Sequence, residues 1–179
     1  MKTVTGDIWQ FAHLGPLCIP TNGYLARNGN GVMGRGLALQ AKERYPDVVY
    51  NLGRHLQREG NSVGWILLHP IRLIAVPVKP SNRRISNKDD LSRLVSRVAN
   101  MYSIGDSVPG YHCKAELSII RRSLGELVEF ANKAKLDSVF IPLLGCGNGE
   151  LDYETELRPM LDTMSDLSDV FTLVLPPKH

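Results

Sequence analysis

Short apolar, strand-like runs alternate with longer segments of helical periodicity along most of the chain. Several runs are continuous apolar or β-branched stretches, which is typical of strands buried on both faces of a sheet. The predicted strands are Lys2–Val4, Leu17–Thr21, Val63–His69, Arg72–Val78, Ser138–Leu144 and Val170–Leu175. Strands that alternate with helices predict an α/β sandwich around a mixed or parallel central sheet.

Helical patterns fill the intervals between these strands. They place apolar residues on one face or end at a residue that interrupts a helix. The predicted helices are Gly36–Tyr45, Asp47–Arg58, Asp89–Tyr102, Ala115–Ala134 and Tyr153–Met164. Pro159, inside the last of them, predicts a kink or a late start. Ser103–His112 is rich in glycine and proline and is predicted to be a loop, and a candidate insertion.

Length and composition favour one globular domain over residues 1–179. The sequence has no apolar run of the roughly 18 residues that a membrane helix needs. It also starts in a strand-like run without a signal-peptide pattern, so we expect a cytoplasmic protein that does not enter membranes. The 3 cysteines form no paired metal-ligand spacing, and the 5 histidines show none either. We therefore expect neither a metal nor a cofactor, and we expect the histidines to be structural or exposed.

The formal net charge of +3 is too small to indicate a nucleic-acid partner by itself, but its distribution is uneven. Basic residues cluster in the middle of the chain, and the last thirty residues lean acidic. The cluster consists of Arg72, Lys79, Arg83, Arg84, Lys88, Arg93 and Arg97. It is either a solvated face or a surface that meets a polyanionic substrate.

Two glycine-rich loops are the strongest functional signal. The first spans Gly31–Gly36 and runs directly into a helix-forming sequence, so unpaired N–H groups and the positive end of the helix dipole would face whatever the loop holds. The second loop, Gly145–Gly149, follows a predicted strand. Either loop could be a plain turn, but together they predict a site for a phosphate or pyrophosphate.

Other polar residues follow the carboxyl ends of predicted strands, where α/β sheets bind ligands. Asp7 follows the first strand, Asn22 the second, and Lys79 the strand Arg72–Val78. Each has an ordinary alternative: a helix cap for Asp7, a turn for Asn22 and a solvated loop position for Lys79. Cys146 is a weak candidate nucleophile because no histidine is signalled beside it.

Taken together, these segments resemble the macro domain family, whose members bind ADP-ribose on a three-layer α/β/α sandwich with a central mixed sheet. The matching pieces come in the family's order and cover nearly the whole chain: Gly6-Asp7-Ile8, Thr21-Asn22, the loop Gly31–Gly36, and the stretch from Pro142 to Gly149. The form Val32-Met33-Gly34-Arg35-Gly36-Leu37-Ala38 is similar to the branch that contains antitoxin macro domains removing ADP-ribose from DNA. It also resembles a related human enzyme that cleaves ADP-ribose from glutamate.

The resemblance implies a role for each matched residue. Asp7 and Ile8 would contact the adenine, Asn22 the distal ribose, and Tyr153 a wall of the adenine or ribose side. Lys79 and Asn22 would be the catalytic residues, with the Lys79 amine attacking the anomeric carbon or stabilising an open-ring intermediate. The complete set of implied ligand-binding residues is Asp7, Ile8, Thr21, Asn22, Gly31, Val32, Met33, Gly34, Arg35, Gly36, Leu144, Gly145, Cys146, Gly147, Asn148, Gly149 and Tyr153.

The chain departs from the family pattern at several points. The partner aspartate of the human enzyme falls at Gly149, so its two-residue mechanism does not carry over intact. The stretch from Asn87 to Lys114 is longer than in the DNA-acting enzymes, and the loop between Asn22 and Asn30 is extended. The Asn-Ala-Ala-Asn type segment of other macro domain hydrolases is absent from the sequence.

Three functions follow as hypotheses. The first is an ADP-ribosyl hydrolase that uses Lys79 and Asn22 to release ADP-ribose from a macromolecule, with nucleic acid as a candidate substrate. The second is a binding module that recognises ADP-ribose without turnover, which the glycine at position 149 favours. The third is an ADP-ribose 1″-phosphate phosphatase, for which no nucleophile is evident. A NAD-dependent dehydrogenase is disfavoured because no G-x-G-x-x-G follows the first strand.

Overall fold

A six-stranded mixed sheet forms the centre of the computed structural model, which describes residues 1–177. The strands are β1 (Lys2–Thr5), β2 (Leu17–Asn22), β3 (Gly64–Leu67), β4 (Leu73–Lys79), β5 (Asn82–Arg84), β6 (Ser107–Pro109), β7 (Val139–Pro142) and β8 (Phe171–Leu175). The order in the main sheet is β1-β8-β7-β2-β4-β3, with β3 antiparallel to β4 and all other neighbours parallel. The predicted mixed sheet is therefore confirmed.

Helices cover both faces of this sheet. The α-helices are α1 (Gly36–Arg44), α2 (Val48–Glu59), α3 (Lys88–Ser92), α4 (Leu117–Lys133) and α5 (Arg158–Asp162). Alternate residues of β4 point to opposite layers, because Ile74 and Val76 pack with α4 whereas Leu73 and Ala75 pack with α1 and α2. The result is the three-layer sandwich expected from the sequence. Within residues 1–177, no helix is long and apolar enough to cross a membrane.

Pro159 acts as the sequence predicts. A π-type turn over Tyr153–Leu157 precedes α5, and the proline lies in the first turn of that helix, where its missing N–H costs nothing. The α-helix therefore starts late, at Arg158. Lys178 and His179, the last two residues of the predicted domain, lie outside the described residues.

The predicted helix Asp89–Tyr102 is wrong. Only α3 is α-helical there, and Ala99–Met101 is a separate short 3₁₀ turn. Tertiary hydrogen bonds take the backbone groups that a continuing helix would use: Val95 N–H donates to His112 O at 3.0 Å, and Arg93 O accepts from Lys114 N–H at 2.8 Å. Leu94 also forms a β-bridge with Cys113.

The predicted loop Ser103–His112 also contains regular structure. β6 pairs antiparallel with β5 in a second, two-stranded sheet, and a 3₁₀ turn covers Gly110–His112. Residues 82–115, named here the rim segment, have a small core of their own. Its fully buried members are Ile85, Leu94, Val108 and Cys113. The candidate insertion is thus folded, with a two-stranded sheet and a small hydrophobic core of its own.

Candidate functional site

A cavity of about 650 Å³ lies beyond the carboxyl ends of β2, β4 and β7, between the two glycine loops. Of the residues that the sequence placed in the site, those lining the cavity are Thr21, Asn22, Val32, Gly34, Arg35, Gly36, Lys79, Gly145, Gly147, Asn148 and Gly149. Asn22, Lys79 and the two glycine loops therefore meet in one cleft, at the edge of the sheet where parallel strands end, but the predicted segment Gly6-Asp7-Ile8 does not line it.

The first glycine loop leads into α1 without a capping side chain. Gly36 begins the helix with a φ of +56°, a conformation that glycine adopts at little cost. Arg35, at the N-cap, is extended and its side chain makes no capping hydrogen bond. The first N–H groups of α1 are thus left for an anion in the cavity. A Cβ added at Gly34 would meet no atom within 4 Å, so the backbone there is open to a ligand.

The second glycine loop faces the first at close range. The Asn148 side-chain nitrogen lies 3.0 Å from the position that a Cβ on Gly36 would occupy. Gly145 has a φ of +78°, and its carbonyl oxygen accepts a hydrogen bond from Leu151 N–H at 3.1 Å, which closes the loop. Gly147, like Gly34, has open space where a Cβ would stand. Two opposed backbone loops of this kind suit the two phosphates of a diphosphate.

Lys79 lies between these loops at the end of β4, with only 8% of its surface exposed. Its Nζ donates to Asn148 O at 3.0 Å and to Tyr111 O at 3.5 Å. Burial, and next the positive charge of Arg97, lower the pKa of Lys79 from 10.5 to about 8. A substantial minority of the amine is therefore neutral near pH 7, as a nucleophilic lysine requires.

Asn22 is paired with Lys79 across the sheet, at a register shift in the β2–β4 ladder. Its side-chain Nδ2 donates to Val32 O at 2.9 Å, and its Oδ1 accepts from Tyr24 N–H at 3.0 Å. The amide therefore fixes the first glycine loop relative to the strand that carries Lys79. One N–H and one lone pair of the amide remain for a ligand.

Other predicted site residues do not line the cavity: Asp7, Ile8, Gly31, Met33, Leu144, Cys146 and Tyr153. The carboxylate of Asp7 accepts from Trp9 N–H at 3.1 Å, which is the helix-capping alternative, and its contact with adenine stays a prediction. Tyr153 lines a separate cavity of about 500 Å³ beside β1.

Cys146 lies in the second glycine loop, but its thiol is not suited to attack a bond. Burial is the main cause that raises its pKa, to about 11, so the reactive thiolate is scarce at neutral pH. Ile8, Met33 and Leu144 are buried in the hydrophobic core, where they support the loops from behind.

The sequence did not predict that the rim segment supplies part of the cavity wall. Arg97, Val98, Tyr111 and His112 line it. Arg97 belongs to the basic cluster in the middle of the sequence, but its spacing did not distinguish it from the other basic residues of that cluster. Arg83 of that cluster pairs with Asp90 of the rim segment and with Glu116, which follows the segment, so its charge is neutralised away from the cavity lining.

Glu150 fastens the rim segment to the second glycine loop. Its carboxylate accepts hydrogen bonds from the backbone and hydroxyl of Ser96, both at 2.7 Å, and pairs with Lys114 at 3.5 Å. Burial alone would raise the pKa of Glu150, but the bonds from Ser96 and the charge of Lys114 lower it overall. This contact holds Arg97, the residue after Ser96, at the cavity.

We expect Glu150→Ala to loosen the rim segment without unfolding the sandwich. Loss of the hydrogen bonds to Ser96 should cost about 1–2 kcal/mol of local stability, and amide hydrogens of residues 93–98 should exchange faster. Glu129→Ala, at an exposed position of α4, is the matched control. Equal exchange at residues 93–98 in wild type and Glu150→Ala would show that the contact does not hold the segment.

No protein-family model matches the chain. Two curated proteins, both named DNA ADP-ribosyl glycohydrolase, are each 25% identical to it over 154 residues. They come from Mycobacterium bovis (strain BCG / Pasteur 1173P2) and Mycobacterium tuberculosis (strain ATCC 25618 / H37Rv). The matches cover 82% of this chain and 36% of each relative, so the chain spans about a third of the length of the curated relatives it matches.

Solved structures resemble the chain over almost its whole length. The macrodomain of Mycobacterium tuberculosis DarG superposes with a TM-score of 0.65 at 23% identity, covering 99% of this chain and 97% of that one. Thermosipho africanus DarTG in complex with ADP-ribose gives a TM-score of 0.63 at 20% identity, covering 98% of this chain and 42% of that one. These likenesses show the fold.

Proposed function

We propose that this chain, which has the macrodomain fold, binds ADP-ribose in the main cavity and releases it from a macromolecule by hydrolysis. The observation that carries the proposal is a buried lysine with a lowered pKa, enclosed by two facing glycine loops. The loops supply backbone N–H groups for a diphosphate, and the lysine supplies a nitrogen that can attack the sugar beyond it.

DNA is the proposed substrate class. The residues that line the cavity in the described part of the chain include Arg35, Lys79 and Arg97 but no carboxylate, so the opening favours a polyanion. The curated relatives, named as DNA ADP-ribosyl glycohydrolases, support the same choice. Because the chain matches only part of each relative, the activity is proposed for the domain described here.

Lys79 is the proposed nucleophile, and Asn22 the residue that positions the distal ribose. The fraction of neutral Lys79 at pH 7 is about a tenth for a pKa of about 8. The Asn22 amide is held by two backbone contacts, so it can present its remaining N–H without reorganising. Asp7, at the carboxyl end of β1, remains the proposed contact for the adenine.

An ADP-ribose reader without turnover is the second candidate function. It is favoured by the glycine at position 149 and by the absence of carboxylates from the cavity lining within residues 1–177. For either function, we propose that residues 1–179 form a single domain. We also propose that this domain is located in the cytoplasm, where its three free cysteines stay reduced.

Small side chains added to the two glycine loops test the ligand assignment. We expect Gly34→Ala and Gly147→Ala to lower the affinity for free ADP-ribose at least tenfold, or about 1.4 kcal/mol, in calorimetry. Each new methyl group meets open space in the folded chain, so the free energy of unfolding should change little. Gly125→Ala is the matched control, because its Cβ also meets open space but lies on the exposed surface of α4.

Turnover separates the two candidate functions. Wild-type chain is incubated with an ADP-ribosylated oligodeoxynucleotide and, in parallel, with an ADP-ribosylated protein. Release from DNA supports the hydrolase, and binding of ADP-ribose without release from either substrate supports the reader. No binding at millimolar ADP-ribose would contradict both.

A further inference from the structure

The cavity holds only a few side chains that can move a proton near neutral pH. Among the lining residues within the described part of the chain, these are Lys79, Tyr111 and His112. Hydrolysis of a glycosidic bond needs a group that gives a proton to the departing acceptor. Gly149 cannot supply it, and a tyrosine hydroxyl is ordinarily too weak an acid to exchange protons readily at pH 7.

We propose that His112, on the rim segment, is the general acid and base that works with Lys79 when ADP-ribose is released. This inference rests on the proposed hydrolase function. Within residues 1–177, no carboxylate lines the cavity, and this inference assigns the proton transfer to a histidine of the rim segment instead.

Neighbouring aromatic rings hold the His112 imidazole in place. The Tyr102 hydroxyl lies 2.7 Å from Nδ1, and the ring centroids of Tyr111 and Tyr102 lie 4.6 Å and 5.8 Å from that of His112, both edge-on. Within residues 1–177, Nδ1 is the ring nitrogen with a hydrogen-bond partner, which leaves Nε2 for the substrate.

Tyr102 suits a histidine that changes its protonation state. A phenol can donate its hydrogen to a neutral Nδ1, and it can accept one from Nδ1–H when the ring becomes an imidazolium. The ring is therefore hydrogen-bonded in both states and does not have to turn during the reaction.

His112 and Lys79 are also close enough to influence each other. Lys79 Nζ lies 3.5 Å from the carbonyl oxygen of Tyr111, the residue that precedes His112. Burial, and then the charges of Arg97, Lys79 and Arg35, lower the pKa of His112. The cations that act on the ring by charge are Lys79, Arg35 and Arg97, which line the same cavity, and Tyr102 and Tyr111 lie beside the ring. Near pH 7 the Lys79–His112 pair holds one dissociable proton between them.

One shared proton balances the reaction. Transfer from the Lys79 ammonium to His112 gives a neutral amine and an imidazolium. The amine forms the Nζ–C1″ bond while the C1″–acceptor bond breaks, and the acceptor leaves with the bonding electrons and takes the imidazolium proton. His112 then removes a proton from the alkylated Nζ.

Water completes the cycle by the reverse steps. His112 returns its proton to Nζ, and a water oxygen attacks C1″ as the Nζ–C1″ bond breaks with its electrons on nitrogen. His112 takes the proton that the water loses. The sum is substrate plus water giving ADP-ribose and the protonated acceptor, with the enzyme unchanged.

The test compares His112→Gln with wild type on two substrates. One is an ADP-ribosylated oligodeoxynucleotide, and the other is ADP-ribose carrying 4-nitrophenol at C1″, which leaves without being protonated. We expect kcat on the oligonucleotide to fall roughly 100-fold or more, and the loss on the nitrophenyl substrate to be at least tenfold smaller. Affinity for ADP-ribose should stay within threefold of wild type. His13→Gln, at an exposed position, is the matched control.

The pH profile gives a second readout that a purely structural histidine would not change. Wild-type kcat on the oligonucleotide should fall above a pH of about 8, where Lys79 loses the shared proton. The residual rate of His112→Gln should instead rise through that pH, because only the neutral amine is then required. If His112→Gln does not fold, His112→Ala assayed with added imidazole replaces it, with at least tenfold rescue expected.

Different results overturn different claims. A His112→Gln rate within threefold of wild type, an equal loss on both substrates, or an unchanged pH profile overturns the role of His112 and leaves the hydrolase intact. A wild-type chain that binds ADP-ribose but releases it from neither substrate overturns the hydrolase, and this inference with it.

Discussion

Lys79→Met should lower the release of ADP-ribose roughly 10³-fold or more while leaving the affinity for free ADP-ribose within about threefold. Methionine fills nearly the same volume but has no nitrogen to attack the sugar. The second glycine loop loses the bond from Lys79 Nζ to Asn148 O, but the two loops that we propose bind the diphosphate keep the bonds of Asn22 to Val32 and of Leu151 to Gly145. Release is measured with the ADP-ribosylated oligonucleotide, and affinity by calorimetry.

The same substitution should change how stability depends on pH. In the folded chain the Lys79 ammonium loses its proton at a pH of about 8, whereas the unfolded chain holds that proton up to 10.5. Between these values the unfolded state binds more protons, so wild-type stability rises with pH. The stability gained from the neutral Lys79 amine is fully present above pH 10.5 and is lost as the pH falls through about 8. We expect it to be on the order of 1–3 kcal/mol.

Unfolding by denaturant at a series of pH values tests this expectation. The difference in unfolding free energy between wild type and Lys79→Met should shift in favour of wild type from pH 8 to 10.5. Lys133→Met, at an exposed position in the last turn of α4, should follow the wild-type slope. If Lys79→Met keeps full turnover, Lys79 is not the nucleophile. If its unfolding free energy depends on pH as that of wild type does, burial does not lower the pKa of Lys79.

Gly149→Asp should damage the site instead of restoring a carboxylate to it. A Cβ at this position would fall inside van der Waals contact with the Gly145 carbonyl oxygen and 2.7 Å from the Ala115 Cβ. The loop must shift to admit any side chain, which costs about 1–3 kcal/mol, and the buried charge adds to that cost. We expect the affinity for ADP-ribose to fall at least tenfold.

Gly149→Ala separates the steric effect from the charge. It should lose stability through the same contacts, while Gly147→Ala, in open space two residues earlier, should keep it. Thermal unfolding and calorimetry measure the two effects. If Gly149→Asp folds with wild-type stability and releases ADP-ribose faster, the second glycine loop can admit a catalytic carboxylate and the steric account is wrong.

The sandwich could be predicted from the sequence because its elements follow simple periodicities. The runs around Ile74 and Ile141 are continuously apolar, and α4 repeats apolar residues at helical spacing. The position of Lys79 and Asn22 at one edge of the sheet was also predictable, since each lies at the end of a buried parallel strand. The ends of adjacent parallel strands must meet at one edge of the sheet.

The rim segment could not be predicted in the same way. Leu91, Leu94, Val95 and Val98 recur at helical spacing, but they do not share one helix face: Leu91 and Leu94 pack in the small core of the rim segment, whereas Val98 lines the main cavity. Long-range hydrogen bonds from Val95 and Ser96 decide the backbone there. His112 enters the cavity through that arrangement, and no local pattern marks it.

The register between β2 and β4 places Asn22 and Lys79 as neighbours on two interior strands of the sheet, whose faces are covered by helices. The reacting end of the proposed site is thus built on two buried strands that pair with each other. Part of the cavity wall belongs to the rim segment, which has a separate small core and is joined to the second glycine loop through Glu150. For the proposed hydrolase, we therefore expect substitutions at rim positions other than the cavity-lining Arg97, Val98, Tyr111 and His112 to change which ADP-ribosylated acceptor is taken, while Asn22 and Lys79 keep their register.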